Sequence, residues 1–194
     1  AGGSLAVANH LAGFCDEVSL VTQLGGEDRR ENFIADAIKS NIHHTFLTKS
    51  NSPTICKRRI VDEYTGNKLL EIYVMNHQPT TGQDADALNT TLQEIVPDHD
   101  VTVVVDYGHG MFTEGSIELL CKTAPFLSVN VQSNAGNHGF NPISKYSRAD
   151  YVCLAFHEIE IETRQREGDI QDLLVEVSQR IDCPRFTVTL GAEG

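Results

Sequence analysis

The sequence predicts an α/β protein with a mostly parallel sheet and one β-hairpin outside that sheet. Helix-like and strand-like segments alternate along the chain. The run 101–105 is β-branched throughout, which is typical of a strand buried in a parallel sheet. Two further strand-like segments, 54–61 and 68–75, flank turn-forming residues at 63–67. We therefore expect these two segments to pair as an antiparallel hairpin.

The other elements follow in a regular order. Apolar side chains at helical spacing predict a helix at 5–14, and a strand at 17–24 ends at Gly25-Gly26. Asp28 can cap a helix that runs to about Ser40. The apolar face of that helix would hold Phe33, Ile34, Ala37 and Ile38. The remaining predictions are strands at 44–48, 126–131, 150–155 and 185–190 and helices at 84–96, 113–123, 157–166 and 170–181.

Composition and charge exclude several classes of function. The 194 residues include 15 Lys and Arg against 27 Asp and Glu, a net charge of −12. An acidic surface repels nucleic-acid phosphates and anionic lipids, so we expect no nucleic-acid or membrane partner. No apolar run approaches the roughly 20 residues that cross a bilayer, and no leader opens the chain. These observations favour the cytoplasm.

The cysteines and histidines give no sign of a metal or redox centre. The five cysteines are widely spaced and include no Cys-x-x-Cys pair. We interpret all five as reduced, with a structural role as small apolar side chains. His43, His44 and His99 have no second ligand at metal spacing. We therefore do not expect a metal-centre enzyme.

The loop after the strand at 101–105 is the first candidate site. It reads Asp106-Tyr107-Gly108-His109-Gly110, and open α/β sheets hold ligands at such strand ends. A carboxylate there suits a ligand, although a helix cap or a loop hydrogen bond also explains Asp106. The chain has neither the G-x-G-x-x-G of a dinucleotide site nor the G-x-x-x-x-G-K-[ST] of a P-loop. NAD binding and P-loop chemistry are therefore rejected.

A series of motifs resembles the ribokinase-like (PfkB) carbohydrate kinases. The series is Gly2-Gly3 followed by Asn9, the hairpin, the D-Y-G-x-G loop, Glu158, and V-T-L-G-x-x-G at 188–194. PTICKRR and VDYGHG are similar to the heptose-phosphate kinase branch. The resemblance spans nearly the whole chain. It implies a three-layer ribokinase-like fold, with one domain over 1–194 and a lid hairpin at about 53–76.

The same resemblance implies that the chain is truncated at both ends. The family has an opening strand with a substrate-binding Asp before the Gly-Gly pair. It also has a G-A-G-D loop, with the anion hole and the catalytic Asp, beyond the last motif. We therefore expect a fragment that is incomplete on the nucleotide side, contains no catalytic residue and is inactive by itself.

The resemblance also implies site residues, with ATP and Mg²⁺ as cofactors. The residues expected to bind a sugar or sugar phosphate are Gly2, Gly3, Asn9, Lys57, Arg59, Asp106 and Asn130. Those expected at the nucleotide are Glu158, Thr189, Gly191 and Gly194. Glu158 would order Mg²⁺ through water.

Structural roles explain several of these residues as well. Gly2-Gly3 suits a helix entry loop, and Lys57 and Arg59 suit a solvated hairpin face or a subunit contact. Glu158 suits a helix start, where the dipole favours a carboxylate, because Ala155 stands where the family's N-x-x-E motif has Asn.

The loop that follows the strand at 126–131 departs from the heptose branch. Asn130 and Gln132 replace an Asp and a Lys of that branch. The Asn-rich loop, NVQSNAGNHGFN at 130–141, can offer amide donors to a ligand, or it can satisfy its own backbone through Asx turns. We interpret Lys145 and Arg148 as charges of a solvated loop rather than as anion contacts.

The predicted function is ATP-dependent phosphorylation of a sugar or sugar-phosphate hydroxyl by the intact protein. The alternative is a non-catalytic carbohydrate-binding or assembly module on the same scaffold. The hairpin is expected to pair in a homodimer, because Ile55, Ile72 and Val74 would otherwise be exposed.

Overall fold

The computed structural model describes residues 2–194 and separates the chain into two compact units, 1–76 and 77–194. The single domain expected over 1–194 stays a prediction beside this division. Within the described residues, no helix is long and apolar enough to span a membrane.

The first unit alternates helices and strands before it ends in the hairpin. Its elements in chain order are α1 (Gly3–Leu11), β1 (Val18–Glu27), α2 (Glu31–Ala35), β2 (Ile42–Pro53), β3 (Cys56–Val61) and β4 (Lys68–Val74).

Strands β1 and β2 of the first unit pair in parallel. Their register runs from Val18 opposite Ile42 to Gly25 opposite Lys49. The buried core of the unit combines residues of both helices and both strands: Leu5, Ala8, Leu20, Leu24, Ile34 and Ile42. Helix α1 therefore has the amphipathic character that its spacing predicted.

Strand β1 is longer than predicted because it continues through Gly25-Gly26 to Glu27. A Cβ on Gly25 would lie 2.2 Å from the backbone of Pro53 and Thr54. The glycine thus permits close approach of two backbones instead of ending the strand.

The helix predicted from Asp28 to Ser40 is wrong in length and in its cap. Asp28 and Arg30 both have a left-handed backbone, with φ of 46° and 52°. Their side chains form an ion pair at 3.0 Å. Helix α2 therefore begins only at Glu31, and Ile34 is buried while Phe33 is 65% exposed.

The predicted hairpin is confirmed. Strands β3 and β4 form their own antiparallel sheet, from Cys56 opposite Val74 to Val61 opposite Lys68. Side chains alternate between the two faces of this sheet. One face carries Lys57 and Arg59, and the other carries Arg58 beside exposed apolar side chains: Ile60, Leu70, Ile72 and Val74.

The second unit alternates strands and helices around one sheet. Its elements are α3 (Gly82–Ile95), β5 (Thr102–Asp106), α4 (Glu114–Thr123), β6 (Leu127–Val131), β7 (Tyr151–Ala155), α5 (Phe156–Thr163), α6 (Ile170–Ser178) and β8 (Phe186–Thr189). Helix α3 packs against α4, and α5 packs against α6.

The sheet of the second unit is parallel, in the order β5-β6-β7-β8. Its interior side chains are almost fully buried: Val104, Leu127, Val129, Val152 and Leu154. Burial of each contributes roughly 1.5–3 kcal/mol relative to exposure. Strand β5 lies at the edge of this sheet, so Val103 is 38% exposed and the β-branched run is less buried than predicted.

Candidate functional site

The carboxyl ends of the four parallel strands meet along one edge of the second unit. The register places Asp106 of β5 opposite Val131 of β6, and Ala155 of β7 opposite Thr189 of β8. We call these four residues, with the loops that follow them, the strand-end edge. Ligands of open α/β sheets bind at such an edge.

Asp106 lies at the centre of a buried polar cluster on this edge, and the residue is 4% exposed. Its Oδ1 accepts a hydrogen bond from the Gly108 amide at 2.8 Å. Its Oδ2 accepts one from the Tyr146 hydroxyl at 2.8 Å and pairs with Lys145 Nζ at 2.5 Å. The carboxylate therefore joins its own loop to a segment that lies beyond the next strand.

Tyr146 acts as a permanent donor in this cluster. Burial, followed by the charge of Asp106, raises the pKa of its phenol far above the usual value. The hydroxyl therefore stays protonated at all ordinary pH values.

Lys145 is not the solvated loop charge that the sequence suggested. Its side chain is 26% exposed, and its ammonium donates to Asn141 Oδ1 at 2.5 Å as well as pairing with Asp106. Arg148 also has a structural role. It donates to the carbonyls of Cys121 and Ala124 and pairs with Asp150, so it ties the end of α4 to the sheet.

The Asn-rich loop satisfies backbone groups with its side chains. Asn134 and Asn137 donate to the Tyr107 carbonyl, both at 3.0 Å, and Asn141 donates to the Asp106 carbonyl at 2.8 Å. The side-chain oxygens accept from amides within the loop, as in Asx turns. Of the two interpretations given by the sequence, this geometry agrees with the structural one.

Two glycines of the D-Y-G-x-G loop have positive φ and crowded surroundings. Gly108 has φ of 65°, and a Cβ there would lie 2.7 Å from Asn137 Nδ2. Gly110 has φ of 80°, and a Cβ there would lie 2.5 Å from the Gln78 carbonyl oxygen. The motif therefore reflects both backbone conformation and close packing.

Glu158 fastens the Asn-rich loop to the start of α5. The side chain accepts from the Ser133 amide through Oε1 and from the Ala155 amide through Oε2, both at 2.8 Å. One turn later, Glu162 accepts from the Ile143 amide at 2.9 Å. A cavity of about 10 Å³ between α5 and the loop has room for one water molecule.

The backbone hydrogen bonds that Glu158 already accepts limit how its carboxylate could bind a metal ion. Each carboxylate oxygen already accepts one backbone hydrogen bond and keeps a lone pair for water. Within residues 2–194, no group of three or more His, Cys, Asp or Glu is placed to hold a metal ion. The residues present fit a water-mediated contact to Mg²⁺, which normally retains several waters.

The other predicted residues of the second unit also lie near strand ends. Asn130 of β6 donates to the Cys153 carbonyl of β7 at 2.8 Å. Thr189 ends β8, and Gly191 follows with φ of 66°. A Cβ on Gly191 would meet nothing within 4 Å, so the positive φ rather than crowding favours glycine there.

Three predicted residues of the first unit belong to α1. Gly2 is the N-cap of α1 and Gly3 is its first residue. Asn9 donates to the Ala37 carbonyl at 2.8 Å and accepts from the Lys39 amide at 2.9 Å. Its amide therefore ties α1 to the segment that follows α2.

Lys57 and Arg59 are the two hairpin cations predicted at the substrate, and each contacts the residue opposite it on β4. Lys57 lies 5.0 Å from the centre of the Tyr73 ring, and partial burial lowers the pKa of its ammonium. Arg59 pairs with Glu71 at 2.5 Å. These are cross-strand pairs of the kind that stabilise hairpins.

Sequence reasoning missed the partners of Asp106. Tyr146 lies 40 positions further along the chain, and no motif spacing links the two. The available signal was physical: a buried carboxylate needs donors, and a Lys-Tyr pair in the following loop could supply them.

Neither a family model nor a curated protein matches the sequence, but solved structures do. Phosphofructokinase-2 from Escherichia coli, in its tetrameric inhibited form, superposes with a TM-score of 0.76 at 16% identity over 100% of this chain and 63% of its own. Ribokinase from Giardia lamblia gives 0.62 at 14% identity over 96% of this chain and 58% of its own. The chain has a ribokinase-like fold.

A third similar structure was solved with ligands bound. Arabidopsis thaliana ribokinase, complexed with ribose and ATP, gives a TM-score of 0.62 at 16% identity over 92% of this chain and 56% of its own. The predicted α/β class and parallel sheet are confirmed by these likenesses. The chain spans about 63% of the length of phosphofructokinase-2. These neighbours are sugar kinases, so the fold is one that carbohydrate kinases use.

Proposed function

We propose that the whole protein transfers the γ-phosphoryl group of ATP to a hydroxyl of a sugar or sugar phosphate. The observation that carries this proposal is the buried Asp106 cluster at the strand-end edge of a ribokinase-like fold. Phosphoryl transfer depends on positioning and on charge stabilisation more than on covalent chemistry by the protein. A rigid polar edge fits the first requirement.

The proposed substrate residues are Gly2, Gly3, Asn9, Lys57, Arg59, Asp106 and Asn130. Asp106 organises the edge that meets the sugar hydroxyls. Asn130 keeps its side-chain oxygen for a ligand while its amide nitrogen contacts β7. PTICKRR and VDYGHG resemble the heptose-phosphate branch, and this resemblance favours a phosphorylated sugar as the substrate. The positive charges of Lys57 and Arg59 would bind its phosphate group.

The proposed nucleotide residues are Thr189, Gly191, Gly194 and Glu158. Gly191, with its positive φ, suits a phosphate chain that comes close to main-chain amides. Glu158 would hold water around Mg²⁺, and that ion would supply charge neutralisation at the phosphates. We assign no catalytic base to residues 1–194.

The test is sugar-dependent ADP release from ATP and Mg²⁺. The panel contains ribose, fructose 6-phosphate and a heptose phosphate, and the protein assayed is the whole protein. We expect ADP release with at least one sugar. An ADP release rate that does not change when sugar is added would contradict the proposal. Because we assign no catalytic base to residues 1–194, we propose that these residues by themselves release no ADP, and turnover by them would contradict that assignment.

A non-catalytic carbohydrate-binding module is the second candidate. Ala155 offers no side-chain amide where the family has Asn, and Glu158 is engaged with two backbone amides. A protein of this kind would bind a sugar without releasing ADP. The same panel therefore separates the two candidates when binding is measured beside turnover.

The apolar face of the hairpin supports a homodimer. Leu70, Ile72 and Val74 of β4 are each about half exposed, at 49%, 47% and 48%. Exposed apolar strands without a neighbour favour association. We propose that two copies of the protein meet through this face.

A further inference from the structure

We propose that Lys145 makes the direct hydrogen bond to the sugar at the strand-end edge, and that Asp106 is the positioning residue that holds it there. This inference rests on the proposed sugar-binding function. The sequence instead assigned the sugar contact to Asp106 and interpreted Lys145 as a charge of a solvated loop.

The Asp106 carboxylate is largely used by the protein itself. An ionised carboxylate offers about four lone-pair sites. Three protein donors already contact the Asp106 carboxylate, namely the Gly108 amide, the Tyr146 hydroxyl and the Lys145 ammonium. The side chain is 5% exposed, so a ligand has little access to what remains.

Lys145 has the accessible donor. An ammonium carries three N–H donors. In the part of the chain that the structure describes, Lys145 has two hydrogen-bond acceptors, Asp106 Oδ2 and Asn141 Oδ1, each at 2.5 Å, and its Nζ lies 5.6 Å from the centre of the Tyr146 ring. Its side chain is 26% exposed, about five times the value for Asp106. One N–H therefore remains for a ligand that reaches this edge.

The charges of the cluster indicate which part of the ligand Lys145 meets. The ammonium is already neutralised by the carboxylate at 2.5 Å, and Tyr146 stays uncharged. A phosphate brought to Lys145 would also approach the Asp106 carboxylate, and like charges oppose that approach. The pair therefore suits a neutral hydroxyl or ring oxygen of the carbohydrate, rather than its phosphate.

The first experiment measures binding by calorimetry for matched neutral and phosphorylated sugars. The probes are ribose with ribose 5-phosphate and fructose with fructose 6-phosphate. Lys145→Met removes the donor, Lys145→Arg restores a cation, and Lys122→Met is the matched control, an exposed lysine of α4 in the same unit. We expect Lys145→Met to weaken both members of a pair by the same factor, about tenfold or more.

The controls separate the possible outcomes. Lys122→Met should bind like the wild type, and Lys145→Arg should recover part of the loss. Equal binding by Lys145→Met and wild type overturns the role of Lys145 alone. A loss confined to the phosphorylated sugar assigns Lys145 to the phosphate and also overturns the inference. If the wild type binds no sugar of the panel, the proposed function fails and this inference with it.

A second experiment tests the role of Asp106 and includes a measurement on the unmodified protein. Asp106→Asn leaves the ammonium without its anion, so this variant should gain affinity for inorganic phosphate over the wild type. In ¹⁵N-lysine-labelled wild type, the Lys145 amine signal should shift when sugar is added. If sugar binding disappears in Asp106→Asn without a gain in phosphate affinity, and the Lys145 signal does not move, Asp106 is itself the contact.

Discussion

The buried carboxylate of Asp106 joins two segments of the second unit through three donors. It accepts from its own loop through Gly108, and from the segment after the Asn-rich loop through Lys145 and Tyr146. Each of these donors offsets part of the cost of burying a negative charge. Removing one of them leaves the carboxylate less compensated, which a stability measurement can detect.

Tyr146→Phe tests this dependence because it deletes one hydroxyl and keeps the ring. Tyr146 is fully buried, so the loss leaves a buried acceptor with one donor fewer. We expect a free energy of unfolding lower by about 1–3 kcal/mol, measured by urea denaturation. Tyr64→Phe is the control, because Tyr64 is 97% exposed and should give no change. Equal stabilities of the two variants would contradict the role of Tyr146.

Asp150 is one group through which the stability of the protein depends on pH. The Leu127 amide, and then Arg148, lower the pKa of this carboxyl below its usual value. Because the folded pKa is depressed, the stabilisation is present above the unfolded pKa and is lost as the pH falls through the folded value. Asp150→Asn should therefore unfold more easily at neutral pH and lose less stability on acidification.

The measurement for Asp150 is urea denaturation at a series of pH values between neutral and strongly acidic. Asp100→Asn, an exposed substitution in the same unit, is the control and should keep the wild-type pH dependence. Parallel stability curves for Asp150→Asn and wild type would rule out this source of acid sensitivity.

Among the elements, the strands and helices of the second unit follow their predicted order closely. The β-branched run and the spacing of apolar residues fixed β5 to within one residue of its observed bounds. Helix α2 was overestimated at both ends. It ends at Ala35 because the amides of Ala37 and Ile38 donate to the carbonyls of Ile34 and Ala35, three positions back, instead of continuing the helical pattern. Its start was predicted too early because the left-handed backbone at Asp28 and Arg30 leaves no clear mark in residue types. Non-glycine residues rarely adopt that conformation, so pattern reasoning excludes it by default.

The D-Y-G-x-G loop allows a test of crowding apart from backbone strain. Gly108→Ala and Gly82→Ala both place a side chain at positive φ, 65° and 57°, but only Gly108 has a neighbour within 3 Å of the new Cβ. Both variants should lose about 1 kcal/mol of stability from strain. Gly108→Ala should lose clearly more and should disturb the amide signals of Asn137 and Asn141. Equal losses of stability in the two variants would mean that the loop accommodates the new side chain at little cost.

The apolar face of the hairpin allows a test of the proposed dimer. Leu70→Asp places a charge on this face opposite Ile60, whereas Phe33→Asp places one at an exposed apolar residue of α2, outside the hairpin. We expect Leu70→Asp to raise the dissociation constant at least tenfold by light scattering or sedimentation, because a charge would have to be buried. The Phe33 variant should associate like the wild type. A monomeric wild type at micromolar concentration would contradict the dimer.

For the whole molecule, the fold class could be predicted because alternation and motif order extend over the full chain. The organisation of the site could not, because contacts such as Asn9 with Ala37 and Asp106 with Tyr146 join residues far apart in sequence. Spacing rules describe one helix or strand at a time. They do not say which distant side chain will meet a buried polar group.

The free cysteines provide a measurement on the whole molecule. Cys15 is exposed, Cys121 is buried, and burial raises the pKa of the Cys153 and Cys183 thiols. Alkylation near neutral pH should therefore label Cys15 first, whereas Cys153 and Cys183 should need a higher pH because the thiolate is the nucleophile. Cys121 should react only on unfolding. Early labelling of Cys121 in a mass-spectrometric time course would contradict the described core.

The Asn-rich loop also has a consequence for the order of assembly. Asn141 and Asn137 donate to carbonyl groups 35 and 30 positions earlier in the chain, at the end of β5 and in the loop after it. These acceptors take their final positions only once β5 has joined the sheet. We therefore expect the loop to acquire its native shape after β5 has joined the sheet, since long-range closure must precede these hydrogen bonds.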